Sequence, residues 1–377
     1  MGKVAKAGLW LAVAGGAYLA YRRFRKQPAY TLEDQVVLIT GGSRGLGLEM
    51  ARVFAREGAR LAICARDPLE LERARQELEE RGAEVLALVC DVSREEAVQR
   101  MVADVEAHYG RIDVLVNNAG IIQVGPLACM SPRDFEEIMG VIFYGALYTT
   151  FAVLPGMRRR GSGRLVNIVS IGGRVAVPHM IPYDAAKFAL RGFSEGLRTE
   201  LAASGITVTT IMPGLMRTGS PVNALFKGKQ EWEFSWFAIA DSLPLLAMDS
   251  QKAAERIVLA CRRGEAEVTL TARARLMGLA HDLAPSLTMG ALTFANRLLP
   301  RPDGAGSQSA RGMDLVSPIA PSFLTHWTNE AAKRNNEFGG VHQPDPRHAE
   351  RIGLCRPPAE EPATVILLAD GFLPTHD

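Results

Sequence analysis

From residue 35 onward, short continuous apolar runs alternate with longer stretches whose apolar residues recur at helical spacing. The runs are VVLIT (36–40), LAICA (61–65), EVLALV (84–89), IDVLV (112–116), RLVNIV (164–169), ITVTTI (206–211) and EVTL (267–270). A strand that is apolar throughout and lies between helices is buried on both faces, which is the condition of a parallel sheet covered on both sides. Seven such strands with helical segments between them predict an α/β fold, a doubly wound parallel seven-stranded sheet, as one domain over residues 30–271.

Both ends depart from this alternation. Residues 7–21, AGLWLAVAGGAYLAY, are uncharged and are followed at once by RRFRK. The run is shorter than the roughly 20 residues of a spanning helix, and its length also suits the apolar region of a signal peptide. Positive charges stay on the cytoplasmic side of a membrane, so the basic flank after the run favours an uncleaved anchor. Residues 1–29 are therefore expected to form an apolar membrane-anchor helix, with the body of the protein facing the cytoplasm. Residues 272–300 are helical and amphipathic, interrupted at Pro285, and would suit a membrane surface, the domain core or a second subunit. Residues 301–377 are expected to be a linker and a largely disordered tail, with NEAAKRNNE as a short helix.

The first strand ends in TGGSRGLG (40–47) and leads into a helical pattern. Glycines at a strand-to-helix turn let the backbone approach a pyrophosphate, which then rests on the free amides and positive dipole end of the helix. Their spacing here is TGxxxGxG. At the end of the second strand an acidic residue would bond the ribose 2′-hydroxyl of NAD, whereas arginine suits the 2′-phosphate of NADP. This chain has Ala65 and then Arg66, with Arg44 inside the glycine turn, so NADP is the expected cofactor. Asp67 is an opposing charge.

Five segments together resemble the short-chain dehydrogenase/reductase family: TGGSRGLG, CDV (90–92), NNAG (117–120), YDAAK (183–187) and PGLMRT (213–218). The resemblance spans roughly residues 33–270 and implies a Rossmann-type sheet and a nicotinamide cofactor. It implies a cofactor site made by Gly41, Ser43, Arg44, Gly45, Leu46, Gly47, Arg66, Asp91, Val92, Asn117, Asn118, Ala119, Gly120, Pro213, Gly214 and Thr218, with Tyr183 and Lys187. Asp91 and Val92 would line the adenine, residues 117–120 would hold the fourth strand and the adenosine ribose, and Thr218 would meet the nicotinamide amide. Ser170, Tyr183 and Lys187 resemble the family's catalytic residues. A free tyrosine titrates near about 10, and a lysine four residues later on the same helix face would lower that value. Hydride would then pass between the nicotinamide and a carbonyl or secondary alcohol, with Tyr183 moving the proton and Ser170 bonding the oxygen. One position departs: where the family has an asparagine before the fifth strand, VIFYG has Ile142. That substitution supports an alternative, a dinucleotide-binding scaffold or redox sensor with little turnover.

Between Thr218 and the next helix, Trp232, Phe234, Trp236 and Phe237 crowd together where the family carries its substrate lid. An apolar lid and an anchor on the same chain imply an apolar substrate of steroid, retinoid or lipid type. Overall composition narrows the partners. Net charge is only +2, and no basic stripe with interleaved aromatics suggests nucleic acid. Five cysteines without CxxC spacing read as reduced thiols, and His281, His326 and His342 have no metal-ligand spacing, so no metal is expected. A homo-oligomer is a further candidate assembly.

Overall fold

The computed structural model describes residues 30–243, 247–302, 308–315 and 326–337, together with Gly15 and Gly16. The apolar run 7–21 thus lies outside the described residues except for those two helical glycines, as do residues 338–377.

The predicted strands form within one or two residues of their apolar runs: β1 Val36–Thr40, β2 Arg60–Ala65, β3 Val85–Val89, β4 Val114–Asn117, β5 Gly163–Ile168, β6 Ile206–Met212 and β7 Glu267–Thr269. They make one parallel sheet in the order β7–β6–β5–β4–β1–β2–β3. Leu38 pairs with Ala62 on one side and with Leu115 on the other, so the order reverses between β1 and β4. Ligands of open α/β sheets bind outside the strand C-termini at such a reversal.

Helices α1 Gly45–Arg56, α2 Pro68–Glu80, α3 Glu95–Tyr109, α4 Pro132–Met139, α5 Gly145–Arg160 and α6 Ile181–Leu201 alternate with the strands up to β6. Leu48, Phe54 and Ile63 are buried in one apolar layer with Ile257 of α8 (Ser250–Arg263). Leu38, Val102, Leu115 and Val153 form the opposite layer under α3 and α5. Local chemistry sets the helix ends. Asp67 accepts from the amides of Leu69 and Glu70 and so caps α2, and α3 stops where Gly110 turns left-handed at φ 80°. Among the described residues, the helix Pro132–Arg160 is long and apolar enough to cross a membrane, but it packs on α3 and α6 as a core helix does.

Beyond β6, Met216–Arg217 pairs with Met248–Asp249 and pins the base of an insertion that carries α7, Gln230–Ser242. The helical reading of 272–300 resolves into α9, Ala272–Leu283, and α10, Pro285–Asn296, with Pro285 at the break. Leu276, Leu283, Leu287, Phe294 and Leu298 are exposed there. The linker reading does not anticipate the pairing of residues 310–311, whereas the short helix forms where it was expected. Ala310–Arg311 pairs with Phe226 and Leu225, and α11, His326–Arg334, covers the expected NEAAKR stretch.

Candidate active site

Ser170 follows the end of β5 in extended conformation, and its hydroxyl accepts from the amide of Gly172 at 3.0 Å. Tyr183 lies in the first turn of α6 and shares a side-chain hydrogen bond with Ser170. One turn later Lys187 is buried, 5.5 Å from the Tyr183 ring centroid, and donates to the carbonyl of Ile168 at 2.7 Å. The three sequence-predicted side chains therefore converge. Their electrostatics differ from expectation in one respect. Burial pushes the Tyr183 hydroxyl above its ordinary value, with Asp184 and Asp241 adding to the rise, and the Ser170 bond opposes it only in part. Burial also pushes Lys187 down to about 7. The free protein thus holds a firmly protonated tyrosine beside a lysine that titrates near neutrality.

The glycine turn is held from β4. Asn118 donates to the carbonyls of Thr40 and Gly41 at 3.0 and 3.1 Å, and its own amide donates to Thr40 Oγ1. Asn117 bonds Asn167 at 2.9 Å and accepts from Thr149 at 2.6 Å, so it ties β4 to β5 and α5. A side chain on Gly47 would bring its Cβ to 2.0 Å from the Gly41 carbonyl, which only glycine avoids. Arg44, the residue before α1, has no side-chain capping bond. The turn therefore presents backbone and a helix N-terminus. Asp91 accepts from Ser93, and Val92 is buried against Gly145. Thr218 is buried with its hydroxyl 2.6 Å from that of Ser220. Pro213 accepts from the amide of Ile171, which joins the Thr218 loop to the Ser170 loop. The two expected cations do not stand alike: Arg66 is exposed, whereas Arg44 is paired with Glu70 at 2.7 Å. Asp67 is accounted for as the cap of α2.

The profile described as short chain dehydrogenase matches residues 35–225. A Drosophila melanogaster protein named "Dehydrogenase/reductase SDR family protein 7-like" is 33% identical over 71% of this chain and 80% of its own length. A solved short-chain dehydrogenase from Streptomyces avermitilis superposes with TM-score 0.61 at 31% identity, covering 70% of this chain and 98% of its own. A variant of actinorhodin polyketide ketoreductase solved with NADPH gives TM-score 0.56 at 31% identity over 64% of this chain and 97% of its own. This chain belongs to the short-chain dehydrogenase family.

In this short-chain dehydrogenase the departures from the common pattern are as informative as the matches. Ile142 lies in a π-helical turn, Gly140–Tyr144, between α4 and α5, and is buried with Ala146, Val169, Ala186 and Met212. Its Cγ1 and the Lys187 ammonium lie 3.7 and 3.9 Å from the same point, the Cβ position on Gly120. An apolar group thus shares the surroundings of Gly120 with the lysine, at the position where the resemblance would place an asparagine.

The lid splits its aromatics by helical period. Phe234 and Phe237 turn inward and pack with Val124, Met180 and Phe226, a cluster that also meets the Tyr183 ring, while Trp232 is exposed. Trp232 and Trp236 line an apolar cleft of about 390 Å³ with Ile239, Leu243, Leu298 and Pro300. Sequence reasoning missed the clamp beneath. His179 sits on the loop before Tyr183 with its Nδ1 2.8 Å from the buried Glu233 of α7, and Glu233 also accepts from Trp236 at 2.7 Å. It also missed three buried acids. Burial pushes Asp184, Asp241 and Glu337 each up to about 8. No periodicity marks Asp241 and Glu337, which come from the lid helix and from the segment after α11, whereas Asp184 is the neighbour of Tyr183 on α6. No cluster of potential metal ligands occurs among the described residues.

Proposed function

We propose that this protein is an NADPH-dependent reductase of an apolar carbonyl compound, with Ser170, Tyr183 and Lys187 as its catalytic residues. The observation that carries the reading is the convergence of a serine, a protonated tyrosine and a buried lysine beside the glycine turn and the Thr218 loop. The turn suits an anionic group because it presents backbone amides at the start of α1, and a polar group, the Glu337 carboxyl, already sits beside Gly45 and accepts from the Gly219 amide.

Gly41, Ser43, Arg44, Gly45, Leu46 and Gly47 would hold the diphosphate end, Asp91, Val92 and residues 117–120 the adenosine end, and Pro213, Gly214 and Thr218 the nicotinamide end. Arg44 and Arg66 would meet the 2′-phosphate, which favours NADP over NAD. Once bound, the dinucleotide supplies a hydride to the carbonyl carbon. The chain's own residues handle the oxygen. Ser170 donates a hydrogen bond to it as negative charge develops, and Tyr183 delivers the proton. Lys187, when charged, lowers the cost of the phenolate that remains. Phe234 and Phe237 exclude water above Tyr183, which favours a steroid-, retinoid- or lipid-like substrate. The NADPH in the ketoreductase structure and its description as a ketoreductase support cofactor and direction.

Residues 7–21 with their basic flank would hold the enzyme at a membrane with the catalytic domain in the cytoplasm. Full-length protein should stay with membranes through a high-salt wash and leave them only in detergent; release by salt alone would defeat the insertion reading.

A second reading is favoured by Ile142: a dinucleotide-binding scaffold or redox sensor with little turnover. NADPH titration followed by a screen of apolar ketones and aldehydes separates the two. Both bind the cofactor, and only the reductase consumes it.

A further inference from the structure

The segment that follows α11 runs across the mouth of the glycine turn. Ser242 on the lid helix meets Thr328 at 2.5 Å and fixes α11 in place. Arg52 of α1 then grips the chain as it leaves that helix, donating to the Arg334 carbonyl at 2.8 Å and to Asn335 Oδ1 at 3.0 Å. The carbonyl of Asn335 accepts from the amide of Gly45 at 3.0 Å. Asn336, left-handed at φ 58°, donates to the carbonyls of Ser43 and Glu70, both at 2.9 Å, and accepts from Arg73 at 2.8 Å. Glu337 closes the path. Its carboxylate accepts from the Gly219 amide, lies 3.0 Å from the Cβ position on Gly45, and its carbonyl accepts from Asn223 at 3.0 Å.

These are the groups that the proposed diphosphate site has to offer. The Gly45 amide is one of the unpaired donors at the start of α1, and the positive end of that helix favours an anion. Asn335 takes the amide and Glu337 fills the adjoining space with its carboxyl group. Two glycines leave room for it, since a Cβ on Gly219 would lie 2.6 Å from that of Glu337. The Glu337 carboxyl group and a phosphate cannot share this space on steric grounds. The docked state also carries a cost, because the Glu337 carboxyl is buried and burial disfavours its charge.

We propose that residues 326–337 are an autoinhibitory strap that occupies the diphosphate cradle and must withdraw before a nicotinamide dinucleotide binds. This rests on the reading of the glycine turn as a dinucleotide site. The apparent affinity for cofactor is then the intrinsic affinity reduced by the fraction of molecules whose strap is open. Whatever draws the strap away raises activity without touching Ser170, Tyr183 or Lys187.

The test uses the full-length protein. Amide hydrogen exchange is followed with and without NADPH, and NADPH is titrated by fluorescence against the unmodified chain, Asn336→Ala and Glu337→Ala. The expected result is faster exchange across residues 326–337 on adding NADPH, with slower exchange in residues 41–47. The two folded variants should bind NADPH at least about tenfold more tightly. Exchange in 326–337 that is unchanged or slowed by bound NADPH overturns the strap and leaves the cofactor site standing, even where a variant fails to fold. Equal affinities in folded variants do the same. If neither the unmodified chain nor any folded variant binds NADPH or NADH, the cofactor reading itself falls, and the strap with it.

Discussion

Lys187 places its ammonium 5.5 Å from the centroid of the Tyr183 ring while bonding the Ile168 carbonyl at 2.7 Å. Burial pushes this lysine down to about 7 and the tyrosine up. Near neutral pH the tyrosine therefore stays protonated, and the lysine is the member of the pair that changes charge. Reductive kcat/KM, which reports the free enzyme, should fall as pH rises through about 7. A profile that stays flat from slightly acid to alkaline pH contradicts the role given to Lys187.

The same shift has a consequence for stability. Folded Lys187 loses its proton near 7, whereas the unfolded side chain keeps it to about 10.4. Between those values the unfolded state binds the extra proton, so this group makes stability rise with pH. Lys187→Met should remove that part of the rise. Denaturant unfolding on either side of neutrality measures it, and an unaltered pH dependence in the variant counts against the buried, depressed lysine.

Arg44 and Glu70 are paired at 2.7 Å, so the cation proposed for the 2′-phosphate starts partly neutralised. Arg44→Ala should weaken NADPH binding about tenfold or more, with much less effect on NADH. Glu70→Gln should act in the opposite direction on NADPH. Calorimetric titration of both cofactors reads the difference; equal losses for NADPH and NADH in Arg44→Ala would remove the arginine from the 2′-phosphate.

Ile142 and Lys187 flank one point beside Gly120. An asparagine there would bring an amide into the surroundings of the ammonium, where the packed neighbours Ala146, Val169, Ala186 and Met212 offer it no side-chain partner. Ile142→Asn should therefore raise kcat more than it changes KM while costing about 1–3 kcal/mol of stability. Steady-state kinetics and unfolding must be measured together. A folded variant with unchanged kcat, where chemistry limits the rate, would show that proton resupply does not run through this position.

Glu233 serves His179 and Trp236 at once, at 2.8 and 2.7 Å. Glu233→Ala takes this partner from the buried His179 ring and from the half-buried Trp236 indole N–H, so the lid should loosen from the loop that leads into Tyr183. The expected signature is a raised KM for bulky apolar substrates and a loss of about 1–3 kcal/mol in stability. An unchanged KM across the substrate panel would reduce the clamp to a purely structural contact.

The sheet was legible because buried parallel strands leave continuous apolar runs, and β1 coincides with VVLIT. The Tyr183–Lys187 pair was legible because helical spacing alone puts i and i+4 on one face. The direction of the Tyr183 shift was not, since it depends on how much apolar lid closes over the ring. Nor was the pairing of Arg44, whose partner Glu70 comes from the following helix. Asn335, Asn336 and Glu337 reach the glycine turn across nearly the whole chain, and a polar stretch without periodicity carries no signal of where it docks. The lid was half legible: its aromatic content stood out, but which rings turn inward follows from the 3.6-residue period on a helix whose orientation the sequence does not state.

In the proposed NADPH-dependent carbonyl reduction, Tyr183 delivers the proton. The most direct test of this role is Tyr183→Phe, with NADPH affinity and NADPH oxidation measured on the same preparation against the best carbonyl substrate. Cofactor affinity is expected within a few-fold of that of the unmodified protein, with turnover reduced by about 10²–10⁴-fold. Near-normal turnover by the folded Phe variant would contradict this role, because the proton would then come from another group.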